Sequence, residues 1–466
     1  MRKKKNNAVA IDNDTIAAIA TPAGSGGVGI IRISGPKALE ILGQTFLPQN
    51  PKSKPIPYLL RFGRIVNPKD NQELDEVLAV YMPGPRSFTG EEMVEIYCHA
   101  GQFTLKSILD NILTCDCRPA EAGEFSLRRF VNRGVDLTML EGAAEVVAAK
   151  TELAYKISRE HLMGAYGEKI SVIRQMIVHL LAEIEADIDF PEEKDVGSVG
   201  RRLLNERLGG IISELEHLSD SYRTGRIIQD GFRVVILGPP NAGKSSLFNY
   251  LVRQNRALVT PVPGTTRDYI SEWIDIGGLP VELYDTAGLR EGRGRVEKAG
   301  IEGTRRLIAR ADLILYLFDF KGKAYGPPDI QLRKEQTLLV VLNKMDLLSS
   351  IVSRAKAWMH ILGDRFSFYI ISAKTGAGVP QLIKKILMIA GTADLTDSII
   401  VTSHRHKVKI DKCLTHLRRI RRMKAQPSEL ISLELRQAAD QIAEITGQIY
   451  TEEILGEIFS NFCIGK

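Results

Sequence analysis

Cysteine is scarce in this chain, with five in 466 residues, at positions 98, 115, 117, 413 and 463. No two form a C-x-x-C pair and five are too few for a disulfide framework, which excludes a stapled secreted scaffold, argues for a reducing cytoplasm and against a structural zinc site. Long hydrophobic runs are missing as well. No stretch approaches the roughly 20 apolar residues that cross a bilayer, so no membrane association is expected. The opening Met-Arg-Lys-Lys-Lys-Asn-Asn is basic, but the apolar run Ala8 to Ile11 behind it is too short for the core of a secretion signal. That tail reads as solvated charge, with targeting or RNA contact as the other readings. Nor does one sign of charge dominate: 62 Lys and Arg against 56 Asp and Glu leave a net +6, which permits an acidic partner such as RNA without requiring one.

What is present is an ordinary soluble composition, 44% hydrophobic and 25% charged, in a chain long enough for about three domains. One stretch organises it. Gly238-Pro-Pro-Asn-Ala-Gly-Lys-Ser245 follows the apolar run Phe232 to Leu237 and precedes a helical pattern through Leu247 and Leu251. A strand, then G-x-x-x-x-G-K-S, then a helix turns successive backbone N–H groups and a helix N-terminus toward a polyphosphate. In that setting Asn241, Ala242, Gly243, Lys244, Ser245 and Ser246 are candidate nucleotide contacts. Lys244 reaches the outer phosphates, where it counts as catalytic, and Ser245 ligates Mg²⁺.

Three further elements follow in the order a GTP-hydrolysing domain requires. Asp285-Thr286-Ala287-Gly288 comes after the strand-like run Val281 to Tyr284. The Asp285 carboxylate can hold the Mg²⁺ shell through water, and the Gly288 amide can meet the γ-phosphate. Asn343-Lys344-Met345-Asp346 comes after the apolar strand Leu338 to Leu342. The carboxylate of Asp346 can accept from both the ring N–H and the exocyclic amine of guanine; adenine offers neither donor in that arrangement, so the pattern selects guanine. Ser372-Ala373-Lys374 follows Phe368 to Ile371, and its backbone can approach the guanine oxygen.

Around this domain the pattern changes twice. Thr15 to Ser34 reads as two short strands about the glycine-rich Thr21 to Gly29. Pro36 to Leu47 is a helical pattern, and Leu59 to Val66, Glu76 to Met82 and Glu92 to Cys98 read as strands, implying a small α/β or α+β domain to about residue 128. After Phe125 the pattern is almost wholly helical. Ile173, Met176, Ile177, Leu180, Ile184 and Ile188 recur at helical spacing to a stop at Asp189-Phe-Pro191, and Leu203, Leu204, Leu208, Ile211, Leu215 and Leu218 give another helix. Helices resume after residue 395, with Arg418, Arg419, Arg421 and Arg422 off the apolar face, either tracking a phosphate backbone or simply solvated. The predicted fold class is multidomain, α/β plus α: an N-terminal domain at 1–128, a helical domain at 129–230 and 396–466, and a Ras-like P-loop GTPase domain inserted at 231–395.

The glutamine that orients the attacking water in the P-loop template directly follows the D-x-x-G glycine. Here that position is Leu289. An apolar side chain cannot orient water, so hydrolysis waits for a partner or another group of this chain substitutes. Glu291 and Glu297 are the acidic candidates, surface charge being the alternative for each. In Gly264-Thr-Thr-Arg-Asp268, Thr266 can complete the Mg²⁺ shell, and Arg267 can act on transition-state charge or pair with Asp268.

From Asp14 to its last residue the chain resembles the bacterial and organellar tRNA modification GTPase family MnmE, also called TrmE. The resemblance is carried by Asp14-Thr-Ile to Gly29-Ile-Ile-Arg-Ile-Ser-Gly35, Ser87-Phe-Thr-Gly-Glu91, Ile188-Asp-Phe-Pro191, Gly264-Thr-Thr-Arg-Asp268, Asp285-Thr-Ala-Gly-Leu-Arg-Glu291 and the terminal Phe462-Cys-Ile-Gly-Lys466. It implies a cytoplasmic homodimer joined through the N-terminal domains. It implies a heterotetramer with a flavoprotein, MnmG (GidA), that modifies C5 of the wobble uridine of certain tRNAs with carboxymethylaminomethyl- or aminomethyl-type groups. The resemblance also implies K⁺ at Asn241, Thr260, Val262 and Thr265, with Thr260 and Thr265 at the nucleotide, and places the water-orienting glutamate at Glu297. A 5-formyl- or methylene-tetrahydrofolate is implied at Arg32, Glu95 and Lys466 of the N-terminal domain, and a functional cysteine at Cys463. Where the family usually carries lysine after Phe130-Val-Asn132 this chain has Arg133-Gly134, and the loop at Ser25 lacks the family's frequent arginine. The residues also admit a GTP-switched RNA-binding or ribosome-assembly factor, against which stand the lack of a KH-type domain and the terminal Phe462 to Lys466.

Overall fold

The computed structural model describes all residues except 1–12, 23, 25, 53, 190–200, 259–269, 287–294, 321–329, 348–350, 363–366, 394, 396–398, 424–426, 461, 463, 464 and 466. The chain divides into two units, one within Met1–Ala144 and Ile442–Lys466 and one within Glu145–Gln441.

The first unit is built on a sheet of seven strands: β1 (Ile16–Ile19), β2 (Gly26–Ser34), β3 (Phe46–Pro48), β4 (Arg61–Val66), β5 (Glu73–Met82), β6 (Met93–Ala100) and β7 (Arg118–Pro119). Their spatial order is β3-β4-β5-β6-β2-β1-β7, antiparallel throughout except for the parallel pair of β1 and β7. Helices α1 (Ala38–Thr45) and α2 (Gln102–Ile112) cover one face. Ile41, Leu105, Ile108 and Ile112 close there on Ile31, Ile33, Val77 and Ile96, which alternate inward as a half-covered sheet requires. Next come α3 (Glu124–Arg133) and α4 (Leu137–Ala148), whose Phe130, Leu137 and Leu140 share a core with Leu455, Ile458 and Phe459 of the helix Glu452–Ser460.

At two boundaries cross-strand pairing overrides the sequence pattern. The helix expected from Pro36 to Leu47 stops at Thr45, because Phe46 turns extended and pairs with Ile65. The strand expected from Glu76 begins at Glu73: Arg64 on the neighbouring strand binds Glu73, and the Asp75 carboxylate accepts from the His99 amide at 2.9 Å. Cross-strand charge pairs extend the ladder past its apolar core.

In the second unit α5 (Glu152–Leu162), α6 (Ala165–Asp189) and α7 (Arg201–Asp230) lead into a second seven-stranded sheet. The strands are β8 (Phe232–Leu237), β9 (Arg256–Ala257), β10 (Ile270–Ile276), β11 (Leu279–Asp285), β12 (Leu313–Asp319), β13 (Thr337–Asn343) and β14 (Phe368–Ile370), ordered β14-β13-β12-β8-β11-β10-β9. Only β10 runs antiparallel to its neighbours. The parallel strands are continuous apolar runs because helices cover both faces. Leu247 and Leu251 of α8 (Lys244–Gln254) and Leu382 and Ile386 of α11 (Val379–Ala390) pack on one face. Leu307 of α9 (Arg295–Arg310) and Trp358 of α10 (Ile351–Leu362) pack on the other. The chain then continues into α12 (His404–Arg422) and α13 (Ser428–Thr446). Alongside α7, α12 is tied by Ser219 Oγ donating to Asp411 at 2.6 Å and by the Arg418–Glu216 ion pair at 2.7 Å. Among the described residues no helix is long and apolar enough to cross a membrane.

Candidate nucleotide site

The carboxyl ends of β13, β12, β8 and β11 follow one another along one edge of the sheet, and three of the sequence motifs begin at the ends of β8, β11 and β13, where ligands of open parallel sheets bind. Beyond Leu237 the chain turns through Gly238 to Gly243 into α8. Asn241 adopts φ +62°, and Gly243 caps α8 at φ +93°, a left-handed conformation that favours glycine. Space enforces glycine there too, since a Cβ on Gly243 would run into the Asn343 side-chain amide. The result is a helix N-terminus behind a loop of backbone amides, a ready anion site.

Two groups suited to a hard cation meet beside it. Ser245 Oγ donates to Asp285 Oδ2 at 2.7 Å, with Asp285 only 3% exposed at the end of β11. A hydroxyl and a carboxylate are the oxygen donors Mg²⁺ takes, so this pair fits that ion. Lys244 is buried and donates from Nζ to the Pro239 carbonyl at 3.1 Å, curled across the loop. Thr286 Oγ1 donates to the Ile236 carbonyl at 2.8 Å, fastening the strand after the metal pair to β8.

At the end of β13, Asn343 is buried and works in both directions. Its Nδ2 donates to the Ala242 carbonyl and its Oδ1 accepts from the Ala373 amide, each at 2.9 Å. Asp346 is exposed, in the single helical turn Met345–Leu347, and its Oδ1 accepts from the buried Ser372 hydroxyl at 2.6 Å. Lys344, at φ +69°, reaches Asp319 at 2.9 Å, while Lys374 and Ser246 are exposed. The structure therefore brings Ala242, Lys244, Ser245, Asp285, Asn343, Asp346, Ser372 and Ala373 to one edge of one sheet. Ala287, Gly288, Thr260, Val262, Thr265, Thr266 and Arg267 lie outside the described residues. The backbone of Glu297 stands in the first turn of α9.

A second cluster sits in the first unit. Arg32 and Glu95 are register partners on β2 and β6, and Arg32 Nε donates to Glu95 Oε1 at 2.7 Å. Glu95 Oε2 accepts from the Tyr97 hydroxyl at 2.7 Å, and burial together with that bond pushes the phenol up to about 12. Arg32 Nη1 donates to the Gly465 carbonyl at 3.2 Å, so the C-terminal segment reaches the same strand. Cys463 and Lys466 lie outside the described residues. Gly134 closes α3 at φ +60° with open space where a Cβ would stand.

Sequence reasoning missed the most deeply buried charge. Arg128 is 0% exposed and donates to Asp14 Oδ1 at 2.6 Å, Glu124 Oε1 at 2.9 Å and Glu91 Oε2 at 3.1 Å. Arg118 holds the outer sides of Asp14 and Glu124. The one local signal was the four-residue spacing of Glu124 and Arg128; the other partners come from distant strands and loops.

Comparison with known proteins gives two family matches. Residues 15–134 match the model described as GTP-binding protein TrmE N-terminus, and residues 137–463 match the MnmE helical domain. A Desulforamulus reducens protein named tRNA modification GTPase MnmE is 39% identical, over 97% of this chain and 100% of its own. One of the same name from Carboxydothermus hydrogenoformans is 39% identical over 97% of this chain and 99% of its own. A third, from Clostridioides difficile, is 38% identical over 97% and 99%.

Proposed function

We propose a function for this chain from one premise: it belongs to the MnmE (TrmE) family, whose members compared above carry the name tRNA modification GTPase. The chain is a GTPase. We read its hydrolysis as K⁺-dependent and coupled, through a flavoprotein partner of the MnmG type, to modification of C5 of the wobble uridine in tRNA. The observation that carries the nucleotide part is Asn343, which joins the phosphate loop at Ala242 to the base-binding loop at Ala373.

In this reading the amides of the phosphate loop and the Lys244 ammonium bind the outer phosphates, and Asp346 selects guanine. Ser245, Thr266 and Asp285 would hold Mg²⁺, which would neutralise charge on the phosphates. Asn241, Thr260, Val262 and Thr265 hold K⁺, an ion that supplies positive charge where an arginine finger otherwise acts. Glu297, on the first turn of α9, orients water in the place Leu289 cannot fill, and Arg267 acts on the transition-state charge. Cys463 serves the tRNA chemistry.

The first unit binds the one-carbon donor, a tetrahydrofolate, at Arg32, Glu95 and Lys466. The partly buried salt bridge of Arg32 and Glu95 offers both a donor and an acceptor to a pterin edge, which supports the assignment. The same unit forms a homodimer. Phe62 and Leu78, register partners on β4 and β5, are 46% and 40% exposed, and Leu47, Leu59 and Leu60 nearby are about half exposed. Such a face on a soluble chain supports burial against a second copy. The site of action is the cytoplasm.

Analysis of modified nucleosides in tRNA from cells lacking the protein tests this function. Loss of the wobble-uridine substituent, restored by the wild-type chain and not by Cys463→Ser, is the expected result. Unchanged wobble uridines with altered ribosome profiles would instead support a GTP-switched ribosome-assembly role.

A further inference from the structure

We infer that Arg129 is a binding residue of the candidate folate site, where its guanidinium grips a carboxylate of the ligand's glutamyl tail; this rests on the folate reading above. Arg128 and Arg129 are neighbours on α3 and do opposite things. Arg128 is fully buried among three carboxylates, whereas Arg129 is partly exposed and stands over the Phe88 ring, 4.7 Å from its centroid. Arg32 stands over the same ring at 5.3 Å, so Arg129 shares an aromatic platform with the residue that pairs with Glu95. A ring between two guanidiniums fixes their positions and leaves their charge in place.

The charges around Phe88 do not balance. Arg32 has Glu95 at 2.7 Å. Arg133, one turn beyond Arg129, donates to a neutral acceptor, the Ser87 carbonyl, at 3.1 Å. Arg129 has neither kind of partner among the described residues, and its Nε is buried without a hydrogen-bond acceptor. Burial, reinforced by the charge of Arg133, pushes the Arg129 guanidinium below its ordinary range. Arg129 and Arg133 thus stand without a carboxylate in ion-pair reach among the described residues, and the surplus positive charge sits on them. A buried donor in a surplus of positive charge is completed by an incoming anion. A planar guanidinium fork matches a carboxylate in particular.

The test uses the full-length protein and two probes, 5-formyl-tetrahydrofolate and 5-formyl-tetrahydropteroate, which lacks the glutamate, with affinities measured by equilibrium dialysis. The wild type should prefer the glutamyl compound. Arg129→Ala should weaken that compound on the order of tenfold while changing the pteroate less than about twofold, and Arg129→Lys should fall between. Equal affinity of wild type and Arg129→Ala, or equal weakening of both probes, would overturn the inference, the latter by making Arg129 a structural residue. If the wild type binds neither probe, the folate reading fails and takes this inference with it. That failure is separable because it needs no variant.

Discussion

The side-chain amide of Asn343 donates to the Ala242 carbonyl at 2.9 Å, and its oxygen accepts from the Ala373 amide at the same distance. One buried side chain thereby ties the phosphate loop to both loops of the base-binding corner. Asn343→Ala strands a buried carbonyl and a buried amide, each at about 1–3 kcal/mol. GTP affinity should fall about tenfold or more in a fluorescent-nucleotide titration, with a lower melting temperature. Unchanged affinity would mean the loops hold their places unaided.

Asp346 is oriented by the Ser372 hydroxyl at 2.6 Å. Asp346→Asn keeps the shape and replaces one acceptor with a donor, which repels the guanine amine and suits the carbonyl that xanthine carries in its place. GTP affinity should drop on the order of a hundredfold or more, and xanthosine triphosphate should become the preferred ligand. Retained GTP preference in a direct competition assay would remove Asp346 from base recognition.

Arg128→Met removes the cation from between Asp14, Glu91 and Glu124, leaving buried acceptors uncompensated. The expected loss is about 3–5 kcal/mol, read as a lower first transition in calorimetry of the whole chain. The pH dependence has a definite sign. Burial alone would raise Asp14 and Glu124, but hydrogen bonds from Arg128 and Arg118, with the Glu121 amide adding to those on Glu124, hold both below their ordinary values of 3.8 and 4.5. Their contribution is full above about pH 4.5 and is lost as pH falls through the depressed values. In Arg128→Met, where both carboxyls lose part of that depression, the acid-induced loss should be smaller than in the wild type.

Phe62 and Leu78 face each other on the outer side of β4 and β5. If a second copy covers them, Phe62→Glu places a charge in that interface and should yield monomers in analytical ultracentrifugation at concentrations where the wild type is dimeric. A dimeric variant would move the interface elsewhere.

Much of the nucleotide site was legible because its signals are local. Each motif is a run of a few residues directly after an apolar strand, and β8, β11 and β13 end where those runs begin. What was not legible joins distant residues. Asn343 and Ala242 are 101 residues apart, Arg128 and Asp14 are 114 apart, and Arg32 and Gly465 are 433 apart. No periodicity encodes such pairs, so nothing in its local sequence singles out Arg128 as a buried charge. The early end of α1 has the same origin, since Phe46 is drawn into a strand by Ile65 across the sheet.

We propose above that a monovalent cation completes the site of this GTPase. Steady-state GTP hydrolysis in K⁺ against Na⁺ at matched ionic strength tests it most directly. The rate in K⁺ should be well above that in Na⁺, with the difference abolished in Asn241→Ala. Equal rates in the two salts would contradict it and leave an activating partner as the source of the missing charge.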